Sequence, residues 1–401
     1  MAQGQDEDAA PWPDQIRIPY LMVLNLPLMR HDGRYWADPL WAKDLLLHRR
    51  YITDLTLFCP VRTMLPPPDS VSIEGITIIS AGPPGHRLYP AAPILAAKLW
   101  RAIARAKLVH VGLGGWPYPM GWLATPIARL RRRFLLTIIE SSFWRVPRRA
   151  SLPKRIKAAI IERLNTVCVN SCDLALFTTS DYRDSLATAP RGQTYITPAT
   201  WVDASQLLSV PAARGKWRQK SGRFLFAGRL TEQKGVTDLI QAIRSTRCQV
   251  DIVGSGELIE LCQAAARELP KQVRLLPPVS YGDAFSALLD DYSALILPTR
   301  SDEQPRVMFD AFARGIPVIA SSTSANVELI QQSGAGRLFK VADSADLAAA
   351  MEKAMANPAE LEQLGLQGLD FAAARTHTAM HRHRAALILE VMRSSGQPTA
   401  I

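Results

Sequence analysis

The chain has 401 residues, of which 48% are hydrophobic and 21% charged, and its net charge is +11 at pH 7. This length supports two domains with separate cores, and the composition is ordinary for a globular enzyme. The five cysteines form no C-x-x-C pair, which argues against a disulfide framework or a zinc site. The N-terminus is acidic, and no run reaches the roughly 18 apolar residues of a membrane span, so we expect a cytoplasmic protein whose contact with the inner face of the membrane is at most peripheral.

Short apolar runs, each typical of a buried strand, alternate with longer stretches through the N-terminal half. The runs are residues 20–26, 55–59, 76–80, 108–112, 134–139 and 174–179. The stretches between them are long enough for crossover helices. This pattern predicts an α/β domain with a parallel, doubly wound sheet.

The positive charge is concentrated in residues 98–164, the basic band, which holds fifteen Lys or Arg against two acids. Two interpretations of the basic band are open. It is either a solvated helix face or a surface for anionic lipid head groups or another anionic acceptor. Nucleic acid is not expected as a partner, because aromatic residues are not interleaved in an RNA- or DNA-binding pattern.

A second domain is predicted after residues 210–223, a basic, polar segment without apolar periodicity that is typical of a linker. The strand pattern resumes at residues 224–228, 250–254, 273–277, 294–298 and 317–321. We therefore expect Rossmann-like domains at 1–209 and 224–375. The segment 376–401 should form a C-terminal helix that packs back toward the N-terminal domain. Folds of this kind bind ligands at the carboxyl ends of their strands.

Two cations mark the first strand-to-helix connection of the second domain. Arg229 follows Gly228 at the end of the strand, and Lys234 stands at the start of the next helix. Cations beside a helix N-terminus suit a diphosphate, the arginine as a planar fork and the lysine as a point charge. A solvated loop with a few basic residues is the simpler alternative.

The segment VGSGEL, residues 253–258, joins a strand to a helix through Gly254 and Gly256. Ile259 stands where a dinucleotide fingerprint has its third glycine, which argues against an NAD-dependent enzyme. The turn is either a contact for a nucleotide base or an ordinary strand-to-helix connection.

Glu303 and Asp310 are seven residues apart, close to two helical turns, with Pro305 at the expected first position of a helix. Glu303 or Asp302 can serve as an N-cap, and Asp310 as an ordinary solvated helix residue. Alternatively, the two carboxylates hold hydroxyl groups of one polyol ligand. The second interpretation also explains why a mostly apolar helix keeps an acid in its middle.

Three histidines, His377, His381 and His383, lie close together near the C-terminus. An i, i+4 pair of histidines can hold a metal. Their neighbours are basic and include no supporting carboxylate, so we interpret the group as a solvated helix face and expect no metal site.

The motif GRLTEQKG at 228–235, followed by DEQPRVMFDAFARGIPVIAS at 302–321, resembles the family-4 retaining glycosyltransferases of the GT-B fold, a glycosyl transferases group 1 type. That family carries G-R-L-x-x-x-K-G and E-x7-E motifs in its C-terminal domain. The resemblance covers roughly residues 222–340 and is weak in the N-terminal half. It implies two Rossmann-like domains that face each other across a cleft. It also implies metal-independent, cofactor-free transfer of a sugar, with retention, from a nucleotide-diphosphate sugar to a polysaccharide or lipid-linked acceptor.

The resemblance implies a role for each matched residue. Arg229 and Lys234 would bind the donor diphosphate and stabilise its departure. Glu303 would contact the sugar hydroxyls, and Asp310 the nucleotide ribose. The other donor-side residues would be Gly228, the backbone amides of Arg306 and Val307 near the phosphates and sugar, and Gly254, Gly256 and Val279 near the base.

Several positions depart from the family pattern. Asp310 replaces the second glutamate, but it stands seven residues after Glu303, where E-x7-E has eight. Gln304 stands where a glycine is usual and can crowd the sugar, and Ile139 stands where a histidine is expected. These departures leave a second hypothesis, a non-catalytic nucleotide-sugar-binding or scaffold protein on the same fold.

The candidates on the acceptor side are few. Gly33 is the only glycine where the family often has a pair near the phosphates. His110, expected at a strand end that faces the cleft, and Glu140 are the other two. A structural role is the alternative for His110.

Overall fold

The computed structural model describes residues 12, 15–88, 91–142, 144–146, 150–218, 221–301 and 303–397. These residues form two compact units. The N-terminal unit runs to Pro198 and resumes at Met380, whereas the second unit extends from Ala199 to Ala379.

The elements of the N-terminal unit alternate between strands and helices. Its strands are β1 (Ile16–Val23), β2 (Leu28–His31), β3 (Arg34–Ala37), β4 (Ile52–Cys59), β5 (Val61–Thr63), β6 (Val71–Ile73), β7 (Thr77–Ser80), β8 (Leu108–Val111), β9 (Phe134–Ile139), β10 (Leu174–Phe177) and β11 (Gln193–Ile196). Its helices are α1 (Pro39–Tyr51), α2 (Ala92–Arg105), α3 (Gly121–Leu130), α4 (Leu152–Asn170), α5 (Ser180–Leu186) and, from Met380 onward, the last helix of the chain, α14 (His377–Ser394).

Seven of these strands form a parallel sheet in the order β11-β10-β9-β8-β1-β4-β7. Its strands are apolar on both faces, because helices cover both. One face packs on α1 and α14 and the other on α2, α3 and the end of α4. The remaining four strands form a small sheet, β5-β2-β3-β6, in which β2 and β3 pair as an antiparallel hairpin.

The second unit repeats the alternation. Its strands are β12 (Phe224–Ala227), β13 (Val250–Val253), β14 (Val273–Leu276), β15 (Ala294–Leu297), β16 (Val318–Ser321) and β17 (Gly336–Phe339). Its helices are α6 (Val210–Trp217), α7 (Val236–Arg244), α8 (Ile259–Glu268), α9 (Asp283–Leu289), α10 (Val307–Ala313), α11 (Ser324–Ser333), α12 (Ser344–Ala356) and α13 (Pro358–Ala373). The six strands form a parallel sheet in the order β14-β13-β12-β15-β16-β17.

The predicted α/β class with parallel, doubly wound sheets is confirmed, and a strand lies in each apolar run that was interpreted as one. The strands that sequence reasoning missed are the four of the small sheet together with β11 and β17. These strands are short, between three and four residues, and most of their side chains are not fully buried. Their sequences therefore lack the apolar runs by which the buried strands are recognised.

Residues 210–223, the predicted linker, lie inside the second unit and contain α6. Trp217 Nε1 donates to the carbonyl oxygen of Gly315 at 3.1 Å, and Lys216 pairs with Asp290. Only Ala213 of this helix is buried, so the segment shows no apolar periodicity although it is helical.

Candidate active site

The sheet of the second unit reverses its winding between β12 and β15. From β12 the chain moves outward through β13 and β14, and then returns to the other side of β12 with β15, β16 and β17. The loops that follow β12 and β15 therefore leave the same edge of the sheet in opposite directions. In doubly wound sheets, the crevice at such a switch point is where ligands bind.

The loop after β12 brings two cations to this crevice. Arg229 follows the strand, and Lys234 ends the short 3-10 helix Glu232–Lys234. Gly235 comes next with φ +70°, and a Cβ there would lie 1.8 Å from the carbonyl oxygen of Pro298, directly beyond β15. Only glycine allows the two loops to approach each other this closely.

Polar contacts fasten the loop after β15 to the same 3-10 helix. The amide of Arg300 donates to the carbonyl oxygen of Gln233 at 2.8 Å. Its guanidinium donates to Asp238 at 2.8 and 2.6 Å and pairs with Glu232. Arg300 thus positions the segment that carries Glu303, a role that sequence reasoning missed. The available signal was a charged residue close to the end of a buried strand.

Lys234 and Glu303 meet at the crevice, where Nζ lies 3.7 Å from Oε2 and both side chains are partly buried. Burial lowers the pKa of Lys234, Glu303 opposes that shift, and the charge of Arg229 adds to it. The three predicted catalytic residues therefore interact with one another. Together they form a centre with an excess of positive charge.

Arg229 is exposed, and no described residue engages its guanidinium in a hydrogen bond or ion pair. The hydroxyl of Thr231, on the same loop, is buried and likewise has no partner among the described residues. Buried polar groups in folded proteins are normally paired, so Thr231 is a further group of the loop that can bind a ligand.

Helix α10 begins at Val307, later than the position predicted from Pro305. Glu303 therefore precedes the helix, and the two predicted carboxylates do not share one helix face. Among the described residues, the amides of Arg306 and Val307 have no backbone acceptor, as is usual for the first turn of a helix. Asp302, the other candidate cap, lies outside the described residues.

Asp310 is buried, with 9% of its surface exposed, so it is not a solvated helix residue. The hydroxyl of Tyr281 donates to its Oδ1 at 2.8 Å. Burial and then the charge of Asp310 raise the pKa of Tyr281, which keeps the hydroxyl protonated as a donor. Tyr281 was also missed. The signal was its position two residues after Val279, which the family resemblance places near the base.

The glycines predicted for the base lie in the turn after β13, which packs against the β12 loop. A Cβ at Gly254 would lie 1.8 Å from the carbonyl oxygen of Gly228, and one at Gly256 would lie 2.5 Å from that of Leu230. Val279, beyond β14, is partly buried against the hydrophobic core that Val307 also contacts. The donor-side candidates thus lie at the carboxyl ends of β12, β13, β14 and β15.

Gln304 does not point freely toward a ligand. Its Oε1 accepts from the amide of Ala199 at 2.9 Å, and its Nε2 donates to the carbonyl oxygen of Ala199, also at 2.9 Å. The side chain that was expected to crowd the sugar is held by the backbone of another segment.

The three acceptor-side candidates all belong to the N-terminal unit. Gly33 is in the turn of the β2–β3 hairpin, and Glu140 follows β9 and pairs with Arg384 at 3.1 Å. His110 lies inside β8, buried, with Nδ1 3.1 Å from the hydroxyl of Tyr20. Burial lowers the pKa of His110 to about 3. This placement favours the structural role of His110 over contact with an acceptor.

Ile139, which stands where the resemblance expects a histidine, is buried in the core shared with α2 and α3.

The histidines near the C-terminus are not a solvated face, because His377 and His381 are buried and only His383 is exposed. His381 Nδ1 lies 3.2 Å from the hydroxyl of Tyr51, and its Nε2 lies 3.1 Å from Asp44 Oδ1. These partners come from α1, more than 300 residues earlier in the chain, so the sequence gave no local sign of them.

Among the described residues, no helix combines the length and the apolar character needed to cross a membrane.

Comparison with known proteins gives a family match within the second unit. Residues 212–369 match the family described as Glycosyl transferases group 1. A lipopolysaccharide 1,6-galactosyltransferase of Salmonella typhimurium is 32% identical over 114 residues, which cover 26% of this chain. The match spans only 31% of that relative's own length.

Solved structures show the fold of more than nine tenths of the chain. The sucrose-phosphate synthase of Thermosynechococcus elongatus superposes with a TM-score of 0.69 at 17% identity, covering 94% of this chain and 100% of that one. The HepE protein of Anabaena in complex with UDP superposes with a TM-score of 0.66 at 15% identity, covering 93% and 100%. The fold is GT-B.

Proposed function

Residues 212–369 form a glycosyl transferases group 1 region on a GT-B fold, and from that premise we propose that the protein is a retaining glycosyltransferase. It moves a sugar from a nucleotide-diphosphate sugar to a glycan or lipid-linked acceptor, without a bound metal or other cofactor. The observation that carries the proposal is the meeting of Lys234 and Glu303, with Arg229 beside them, at the switch point of a doubly wound sheet. Two cations and a carboxylate at this place suit a diphosphate joined to a polyol.

In this proposal, Arg229 and Lys234 neutralise the charge that develops on the departing diphosphate. The bond between the anomeric carbon and the phosphate oxygen breaks while the acceptor oxygen attacks from the same face. The acceptor proton passes to the departing phosphate oxygen, so no separate base is required. Glu303 binds hydroxyls of the sugar, and the amides of Arg306 and Val307 face the phosphates.

In this proposal, the nucleoside lies on the side of the two cations that is opposite to the sugar. Asp310, fixed by the Tyr281 hydroxyl, binds the ribose, and the turn with Gly254 and Gly256 lies beside the base near Val279. The UDP in the HepE complex makes uridine nucleotides the first donors to try.

The contacts of Asp310 and Gln304 favour a second candidate, a nucleotide-sugar-binding protein without turnover. Tyr281 already occupies one oxygen of Asp310, and Gln304 is committed to Ala199. Both contacts stabilise a binding site and neither supplies chemistry. The two candidates differ in one respect, which is whether the bond to the phosphate is broken.

For location, we propose a cytoplasmic protein whose basic band, residues 98–164, faces an anionic membrane surface. Its support is the charge of the band, fifteen cations against two acids. An acceptor carried on a lipid would then be reached from that surface.

The proposal is tested with purified protein and UDP-, GDP- and ADP-sugars, first by thermal shift and then by release of the nucleoside diphosphate. We expect one nucleotide series to raise the melting temperature and its sugar to be hydrolysed slowly without acceptor. Arg229→Ala and Lys234→Ala should abolish the release. Arg247→Ala and Lys271→Ala, which change exposed cations just before β13 and β14, at the opposite edge of the sheet, should not. Binding without turnover across a broad acceptor panel would favour the non-catalytic candidate, and no binding would refute both.

A further inference from the structure

Helix α4 exposes a row of large aliphatic side chains, which we call the α4 stripe. The stripe consists of Leu152, Ile156, Ile160, Leu164 and Val167, each between 38% and 65% exposed. Spacings of four and three residues place them along one face of the helix. Val169, on the opposite face, is buried in the core of the N-terminal unit. A continuous apolar row on an outer surface is uncommon in a protein that acts alone in water.

Cations surround the start of the stripe. Lys154, Arg155 and Lys157 are exposed, and the first turn of α4 contains no acid. Lys157 Nζ lies 5.3 Å from the ring of Trp116, which is itself 53% exposed. Apolar side chains, an exposed tryptophan and cations on one surface are the features of a helix that lies in the interface of an anionic bilayer.

The single acid of α4 does not offset these cations. Glu162 binds Arg145 at 2.9 Å and accepts from the indole of Trp144. Its charge is therefore neutralised within the fold, and the outer face of the helix stays positive.

Other cations of the basic band are held inside the N-terminal unit. Arg129 pairs with Asp173 at 2.7 Å, and Arg133 donates to the carbonyl oxygen of Ala104 at 2.8 Å. These groups contribute to the net charge but do not project as those of α4 do. Exposed cations of the band also occur at Arg101, Arg105, Lys107 and Arg132, but those of α4 share their surface with the α4 stripe.

We propose that α4 docks the protein on anionic lipid, with the α4 stripe and Trp116 at the boundary of the acyl chains and Lys154, Arg155 and Lys157 at the head groups. This inference rests on the anionic membrane partner proposed above and is independent of sugar transfer. It adds an apolar contact to a charge contact, so part of the binding survives at salt concentrations that screen the charges. A second copy of the chain is a poorer occupant, because pairing two stripes would bring the cations of both copies together.

The test is co-sedimentation of the full chain with vesicles of phosphatidylcholine alone or with one quarter phosphatidylglycerol, in low and high salt. We expect binding only to the anionic vesicles, weakened but not abolished by salt. Ile156→Ser/Ile160→Ser should reduce the partition coefficient at least tenfold and abolish the salt-resistant part. Ile94→Ser, a change of a 63% exposed aliphatic residue on α2, should leave binding unchanged.

Each contrary outcome overturns a specific part of the proposal that α4 docks on anionic lipid. If the double serine variant binds like wild type, the stripe has no role, although the basic band can still act through charge. Wild type that ignores anionic vesicles overturns both membrane proposals. A wild-type dimer in light scattering that the double variant converts to monomer would show that the stripe joins two copies. Thermal shifts by nucleotide-sugars, measured on the same variants, report separately on the donor site.

Discussion

Gln304 holds Ala199 at two points, since its amide oxygen accepts from the backbone N–H and its amide nitrogen donates to the carbonyl oxygen, each at 2.9 Å. Gln304 lies next to Glu303, so this double contact fixes the loop that carries the sugar-side carboxylate. A glutamine in the place of a glycine is therefore a support of the loop rather than an obstruction.

Replacing Gln304 distinguishes support of the loop from obstruction of the sugar, because the two predict opposite changes in donor affinity. If the side chain crowded the sugar, Gln304→Ala would tighten donor binding. We expect the reverse, a donor affinity three- to thirtyfold weaker, because two hydrogen bonds worth about 1 kcal/mol each are lost from the loop. Gln304→Glu, which presents an acceptor to the carbonyl oxygen of Ala199, should not restore it. Titration calorimetry with the nucleotide-sugar found by thermal shift measures both variants.

Glu303→Ala should reduce transfer at least tenfold, or about 1.4 kcal/mol of transition-state binding, while leaving the circular dichroism and melting temperature near those of wild type. The variant Glu303→Gln tests the pH dependence of activity. Glu303 supports the charged form of Lys234, whose pKa burial lowers, so without the carboxylate the loss of activity at alkaline pH should begin at a lower pH. An unchanged alkaline limb would exclude an influence of Glu303 on a protonated Lys234 during turnover.

Asp310 is predicted to select the sugar of the nucleotide. In wild type, a ribonucleoside diphosphate should bind more tightly than its 2′-deoxy analogue, because the carboxylate accepts from a ribose hydroxyl. Asp310→Asn should reduce that preference severalfold. Tyr281→Phe removes the donor that orients Asp310 and should reduce the preference less. Equal preference in wild type and Asp310→Asn would remove Asp310 from the ribose.

The sequence predicted that the three catalytic candidates lie near one another, because they are close together in the chain or follow adjacent strands. The order of the strands brings together Arg229, Lys234 and Glu303. The partners that were missed depend on contacts between distant segments. Tyr281 reaches Asp310 from another loop, and Gln304 reaches Ala199 across 105 residues. Neither contact leaves a periodic pattern in the sequence.

The histidine His110 should make the N-terminal unit sensitive to acid. Burial lowers its pKa to about 3, whereas an unfolded histidine titrates near 6.5, so the unfolded chain binds the additional proton first. The stabilisation is therefore present above pH 6.5 and is lost as the pH falls, by up to about 1.4 kcal/mol per pH unit. Urea unfolding at pH 7, 6, 5 and 4 should give a shallower dependence in His110→Gln. The exposed His383→Gln should keep the wild-type slope.

A substitution at Gly235 tests the contact between the loops that follow β12 and β15. Gly235→Ala introduces both a strained φ of +70° and a Cβ 1.8 Å from the carbonyl oxygen of Pro298. Gly222→Ala introduces the same strain, at φ +74°, with nothing within 4 Å. The strain costs about 1 kcal/mol in each variant, so only Gly235→Ala should also separate Lys234 from Glu303 and weaken donor binding. If both variants bind donor equally well, the close approach does not hold the site together.

The core of the N-terminal unit includes Ile388, Leu389 and Met392 of α14, packed with Tyr20 and Leu45. A ribosome makes these residues only after all of Ala199–Ala379 has been synthesised. The part of the N-terminal unit that precedes Ala199 therefore waits, with one face of its sheet incompletely covered, while the second unit is produced and can fold. The N-terminal unit is thus completed only after the second unit has been made, and until then this open face is a surface that a chaperone can bind.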